Sequence, residues 1–259
     1  MRVALGIEYN GAAFCGWQTQ PEVPNVQDTL ESALKAFATV PISTVCAGRT
    51  DTGVHATHQV VDFEAPVTRP MTAWVRGVNT FLPSGVAVRW AQEVPDDFSA
   101  RFSATERTYE YWILNDPVRS PLMNGLLGWV FRPCDEGKMQ EAAQYLLGEH
   151  DFTSFRASEC QAKSPVRTIH EVTVRRYDRM IGIRLRANAF LHHMVRNIVG
   201  SLVYVGTGRE SVAWFKEVLE ARNRTVAAPT FSAAGLYLVG VRYPEKLGLP
   251  SYSPAPWVF

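Results

Sequence analysis

The order of apolar and polar positions predicts the same set of elements twice. Arg2 to Tyr9 reads as a strand. Asn25 is placed to cap a helix, with Asp28 three residues on as a box-like partner, and Val26, Leu30, Ala33, Leu34 and Phe37 then share one helical face. Ile42 to Cys46 is a short strand, and His58 to Glu64 is another with Val61 and Phe63 on one side. Pro70 opens a second helix on Met71, Trp74, Val75 and Val78. Val86, Val88 and Trp90 alternate as a half-buried strand does.

The second half repeats this order. Thr108 to Leu114 is a strand, Glu136 to Leu147 a helix, and His170–Arg175 with Ile181–Leu185 a strand pair turning at Asp178-Arg179. A helix follows on Leu191, Val195, Ile198, Val199 and Leu202. An extra helix after Gly208 is built on Trp214, Phe215, Val218 and Leu219, and Leu236 to Val241 closes the set as a buried strand. Two β-α-β-β-α-β halves place the chain in the α+β class, each half a ferredoxin-like split βαβ unit. The halves are expected at 1–103 and 104–259, closely packed with a shared mixed or antiparallel sheet, because no Gly/Ser linker separates them. Tyr243 to Phe259 carries Pro244, Pro250, Pro254 and Pro256 and reads as a wrapping tail.

Composition narrows the class without naming a function. At 259 residues, 46% hydrophobic and 20% charged, the chain is an ordinary globular protein and neither disordered nor coiled coil. No apolar run approaches a membrane span, and the N-terminus runs directly into a strand, so the expected location is the cytoplasm. Cys15, Cys46, Cys134 and Cys160 form no Cys-x-x-Cys pair and read as reduced thiols. The net charge of +1 hides an asymmetry: Ser164 to Arg209 holds 8 Arg against Glu171 and Asp178. Arginine outnumbers lysine 21 to 5, which fits either phosphate recognition or a GC-rich genome.

Gly48-Arg49-Thr50-Asp51-Thr52-Gly53-Val54-His55 lies in a loop between two strands, where chemistry usually sits. A guanidinium beside Asp51 favours the ionised carboxylate, which serves as nucleophile or base; the plain alternative is a turn with an incidental ion pair. Asp51-Thr52-Gly53 matches the aspartic-protease triplet, but it occurs once and that chemistry needs two carboxylates sharing a proton. His55 with His58, and His192 with His193, lack the three or four convergent ligands of a metal site. No Gly-x-Gly-x-x-Gly or Walker loop implies a nucleotide cofactor. Arg196 sits beside the apolar stripe of its helix, a position that calls for a carboxylate or phosphate partner. Phe98-Ser99-Ala100-Arg101-Phe102 interleaves aromatics with a cation, which suits base stacking and phosphate contact as well as core packing.

Four blocks in order, Asn25–Leu30, Gly48–His55, Arg101–Thr105 with Tyr109, and Asn188–Gly200, resemble the motifs of the tRNA pseudouridine synthase A family, over nearly the whole chain. The resemblance implies isomerisation of uridine to pseudouridine at positions 38, 39 and 40 of the tRNA anticodon stem-loop by base flipping. It implies two ferredoxin-like halves with a shared sheet, a homodimer, and no cofactor or metal. It makes Asp51 the nucleophile, with Tyr109 packing against the target base and available as the base at C5, and Arg196 pairing with Asp51. Arg49 and Arg69 would contact RNA, as would Phe98, Ser99, Ala100, Arg101 and Phe102 and the stretch Glu159, Cys160, Gln161, Ala162 and Lys163. The chemistry leaves open whether Asp51 adds to C6, adds to C1′ or removes a sugar proton. A competing class, the non-catalytic RNA-binding module with paired ferredoxin-like domains, lacks its aromatic ribonucleoprotein motif here. A hydrolase built on Asp51 and His55 lacks a Ser or Cys partner.

Overall fold

A computed structural model describes residues 1–256. The chain folds into two compact units, Met1–Glu106 together with the segment from Tyr237 onward, and Arg107–Leu236. The expected division ran from 104 to the end of the chain. The observed one returns the last strand and the tail to the first unit.

The first unit begins with β1 (Arg2–Tyr9) and α1 (Val26–Ala38). Asn25 caps α1 through its side-chain oxygen, which accepts from Asp28 N at 2.8 Å, a bond worth about 1 kcal/mol. Of the expected strand Ile42–Cys46 only β2 (Val45–Cys46) pairs. The Thr44 N–H and hydroxyl are instead taken by the Glu31 carboxylate at 2.8 and 2.9 Å. β3 (His55–Glu64), α2 (Met71–Asn79) and β4 (Val86–Val94) complete the repeat. β1 is antiparallel to both β3 and β4, so β3 and β4 run parallel with β1 between them and α2 crossing over: the split βαβ arrangement. Trp74 is fully buried between Phe37 and Phe63, each ring edge-on at 5.1 Å, and fixes the helices to the sheet.

β3 is longer than its hydrophobic pattern and buried on both faces. Two partners explain this. Further on, β10 (Leu236–Arg242) pairs parallel with its first residues, Tyr237 opposite His55 and Leu238 opposite Ala56. The tail meets its side chains, where Thr57 Oγ1 donates to Ser253 O at 2.6 Å and His58 Nε2 meets Pro250 O at 2.9 Å. Gln92 Nε2 donates to Leu247 O at 2.8 Å, so β4 is strapped as well.

The second unit contains β5 (Glu106–Asn115), β6 (Gly128–Val130), α3 (Glu136–Ala143), β7 (Gly148–Asp151), β8 (Val166–Tyr177), β9 (Met180–Ala187), α4 (Met194–Gly206) and α5 (Val212–Ala221). β9 is antiparallel to β5 and β8, which makes a second split βαβ through α3; β7 extends it antiparallel beside β8 and β6 lies parallel to the end of β5. Two expected helices are shorter than their periodicity. The first tightens after Ala143 into a 3-10 turn at Gln144–Leu146. The second starts at Met194 rather than near Leu191, because His193 adopts a left-handed conformation at φ 60°. Both units are α+β with a mixed sheet. Among the described residues no helix is long and apolar enough to cross a membrane.

Candidate active site

Asp51 lies in the first unit, in the connection from β2 to β3, with its side chain half-buried; Arg49 beside it is exposed. The loop around them is held at several points. Gln59 of β3 brackets Gly48: Nε2 donates to the Gly48 carbonyl at 2.6 Å, and Oε1 accepts from the Gly48 N–H at 3.4 Å. The Tyr9 and Thr50 hydroxyls meet at 2.8 Å. The Trp17 N–H donates to Thr50 O at 3.0 Å, and the Gly53 N–H to Phe14 O at 3.3 Å. A turn closes on Asp51 itself, whose carbonyl accepts from Val54 N at 3.0 Å. The backbone is therefore fixed on both sides of the carboxylate.

The second wall of this loop is the segment Gly11–Trp17, which carries no periodicity and escapes a search for helices and strands. Two glycines let it approach. A Cβ on Gly11 would come within 2.0 Å of Val54 O, and one on Gly16, at φ 87°, within 2.8 Å of Thr50 O. The spacing of Gly11 and Gly16 around Phe14 is the signal in the sequence that marks it. Tyr9 and Gln59 likewise escape notice, because each is a regular member of a strand.

His55 is buried; its Nδ1 accepts from the Gly11 N–H at 3.0 Å and its ring stacks on Tyr237 at 4.6 Å. An accepting Nδ1 places the proton of the neutral ring on Nε2. Burial lowers the pKa of His58, and the Pro250 carbonyl works against that shift. Burial pushes the Cys46 thiol up to about 12, opposed by the nearby Arg49 and Arg101 guanidinium groups. Two of the expected RNA-contacting arginines thus both lie close to Cys46.

The stretch 98–102 divides its side chains between core and surface. Phe98 is buried against Tyr243, ring centroids 5.2 Å apart. Ala100 is fully buried, its N–H donating to Asp62 at 2.7 Å and its carbonyl accepting from Tyr243 OH at 2.8 Å. Asp62 also pairs with Arg2. Ser99 is half-buried, and its N–H donates to Ser103 Oγ at 3.0 Å. Arg101 and Phe102 face outward, the guanidinium 5.1 Å from the ring centroid, with Phe102 80% exposed. Arg69 is exposed and lies 4.9 Å from the centre of the Phe37 ring.

In the second unit, Tyr109 of β5 is buried opposite Leu185, its ring edge-on to Phe190 at 5.1 Å. Arg196 occupies the first turn of α4 and is half-buried. Its Nε donates to Phe231 O at 2.9 Å, and the Phe231 N–H returns to Arg196 O at 3.3 Å. Asn197 beside it is fully buried, donating to Phe155 O at 2.8 Å and accepting from Thr230 Oγ1 at 2.7 Å. In the stretch 159–163, Glu159, Gln161 and Lys163 are exposed, while Arg156 holds the loop by donating to Cys160 O at 2.6 Å and Ala162 O at 2.9 Å. Burial works to raise the Cys160 thiol. The N–H groups of Ala162 and His192 and the Arg156 guanidinium outweigh it and bring the pKa below the usual thiol value.

The sequence profile described as tRNA pseudouridine synthase matches residues 6–103 and 142–244. A protein of Burkholderia cenocepacia named tRNA pseudouridine synthase A is 55% identical over 259 residues, covering 99% of this chain and 96% of its own. One of the same name from Herminiimonas arsenicoxydans is 57% identical over 253 residues, covering 96% and 92%. Matched over most of its length and across both units, the chain belongs to the tRNA pseudouridine synthase family.

Proposed function

We propose that this protein isomerises uridine to pseudouridine in tRNA, at positions 38, 39 and 40 of the anticodon stem-loop, with Asp51 as the nucleophile. The observation that carries the reading is the Asp51 loop: a half-buried carboxylate whose flanking backbone is tied to β1, β3 and Gly11–Trp17. A group held in this way is prepared for chemistry, since small displacements of a reacting group are costly in rate. The target uridine leaves the stack at a cost of a few kcal/mol. Tyr109 packs against the extruded base, and Arg196 pairs with Asp51. Arg49, Arg69, Arg101 and Phe102, with the stretch 159–163, supply phosphate and stacking contacts that offset the extrusion.

The reaction balances without a co-substrate. The C1′–N1 bond breaks, C1′–C5 forms, the C5 proton leaves to solvent with Tyr109 as its base, and N1 gains a proton. No electron is transferred, so no redox cofactor is required. The enzyme works in the cytoplasm as a homodimer in this reading.

The test is tritium release from tRNA transcripts labelled at uridine C5, with wild type and Asp51→Asn side by side. Release by wild type only, mapped to positions 38–40, is expected. Tight tRNA binding with no release from either would replace the isomerase by an RNA-binding module. Near-native release from Asp51→Asn would remove the nucleophile from Asp51.

A further inference from the structure

We propose that Gln59 and Tyr9 are positioning residues for Asp51, acting through Gly48 and Thr50 as one hydrogen-bonded relay beneath the loop. The inference rests on the reading of Asp51 as the nucleophile. Gln59 is fully buried in the middle of β3, and Tyr9, at the end of β1, is 3% exposed. An apolar side chain at position 59 would pack in that strand without any need for partners. A glutamine there demands them, because a buried amide left unpaired costs about 1–3 kcal/mol. Its partners are the two backbone groups of Gly48, at 2.6 and 3.4 Å, and the Tyr9 hydroxyl at 3.5 Å.

Tyr9 passes the constraint on. Its hydroxyl, 2.8 Å from Thr50 Oγ1, holds the residue directly before Asp51. The register of β1 on β3 shifts between Ile7 and Tyr9, an irregularity that falls at the strand end carrying Tyr9. Gln59 therefore fixes the loop at Gly48, three residues before the carboxylate, and Tyr9 fixes it one residue before. The bonds are satisfied together in one loop position, so the buried polar groups select that position. Thr50 is also gripped at its carbonyl by Trp17 N, which leaves its hydroxyl as the contact that the relay controls.

The experiment measures single-turnover rate, tRNA affinity and thermal midpoint for wild type, Tyr9→Phe, Thr50→Val, Thr50→Ser, the Tyr9→Phe/Thr50→Val double variant and Asp51→Asn. Each of Tyr9→Phe and Thr50→Val should lower the rate about 10-fold or more while tRNA affinity stays within about 2-fold. The double variant should be no slower than the slower single, because both remove one shared interaction. Thr50→Ser, which keeps a hydroxyl at Oγ, should lose less rate than Thr50→Val. Rates within about 2-fold of wild type in both singles, or losses that multiply in the double, would overturn the relay. A drop in thermal midpoint with an unchanged rate per folded molecule would also overturn it, leaving Tyr9 a structural residue. An active Asp51→Asn would instead overturn the nucleophile, whatever the Tyr9 variants do.

Discussion

Arg196 and Phe231 bind each other in both directions: the arginine Nε donates to the Phe231 carbonyl at 2.9 Å, and the Phe231 N–H donates to the Arg196 carbonyl at 3.3 Å. The side chain is thereby anchored through Nε, and its terminal nitrogens are presented as a fork in a set orientation. A lysine has no second donor partway along the chain. Arg196→Lys keeps the charge and loses this anchor, so turnover should fall by about 10-fold or more although the α4 helix remains intact. Single-turnover rate together with circular dichroism measures both. A variant as fast as wild type would show that charge alone suffices.

Gly16 offers a test of the loop wall. At φ 87° its added Cβ would meet Thr50 O at 2.8 Å, so Gly16→Ala carries left-handed strain of about 1–2 kcal/mol and pushes on the residue before Asp51. Gly208 has φ 71° but nothing within 4 Å. Gly208→Ala should therefore pay the strain alone. Both variants should melt earlier, and only Gly16→Ala should lose turnover per folded molecule. Equal turnover in the two would separate the Gly11–Trp17 segment from catalysis.

What the hydrophobic pattern could and could not reveal follows from where each constraint originates. β1, α1 and the Asn25 cap depend on local periodicity and a three-residue bond, and they stand where the pattern puts them. The short β2, the late start of α4 and the first-unit position of β10 depend on Glu31, on the backbone of His193 and on pairing with His55. None of these leaves a periodic trace. The same holds at the site. The Arg49-Thr50-Asp51 loop is conspicuous as residue types, whereas the Gln59 and Tyr9 contacts join residues 11 and 41 positions apart. Within 98–102 the sequence cannot divide the two phenylalanines, because one is buried by Tyr243 from the far end of the chain.

His58 ties the tail to β3 and makes that attachment sensitive to pH. Burial depresses its folded pKa below the ordinary 6.5, so the unfolded chain takes up the proton first as acid is added. The stability contributed by neutral His58 is present above the unfolded value and is lost as pH falls through the folded one. His58→Gln retains a side-chain donor for Pro250 O and cannot ionise. Between about pH 7.5 and 5 the thermal midpoint of wild type should fall more steeply than that of His58→Gln. Parallel profiles would place the acid sensitivity elsewhere.

The divided stretch 98–102 predicts opposite phenotypes from chemically similar changes. Phe98→Ala removes a buried ring against Tyr243 and should cost about 3–5 kcal/mol of stability, read as a lower thermal midpoint. Phe102→Ala removes a ring that is 80% exposed and should leave the midpoint within about 1 °C of wild type, surface changes being close to neutral. Its effect should appear as weaker tRNA binding, because an exposed aromatic beside a guanidinium offers a stacking surface. Arg101→Ala and Arg69→Ala should each reduce the slope of log affinity against log salt by about 1, the signature of one lost phosphate contact. If Phe102→Ala binds tRNA as wild type does and both arginine variants keep the full slope, the outward face of this unit does not meet the RNA. The stabilising work of Phe98 and Ala100 would then be the whole role of the stretch.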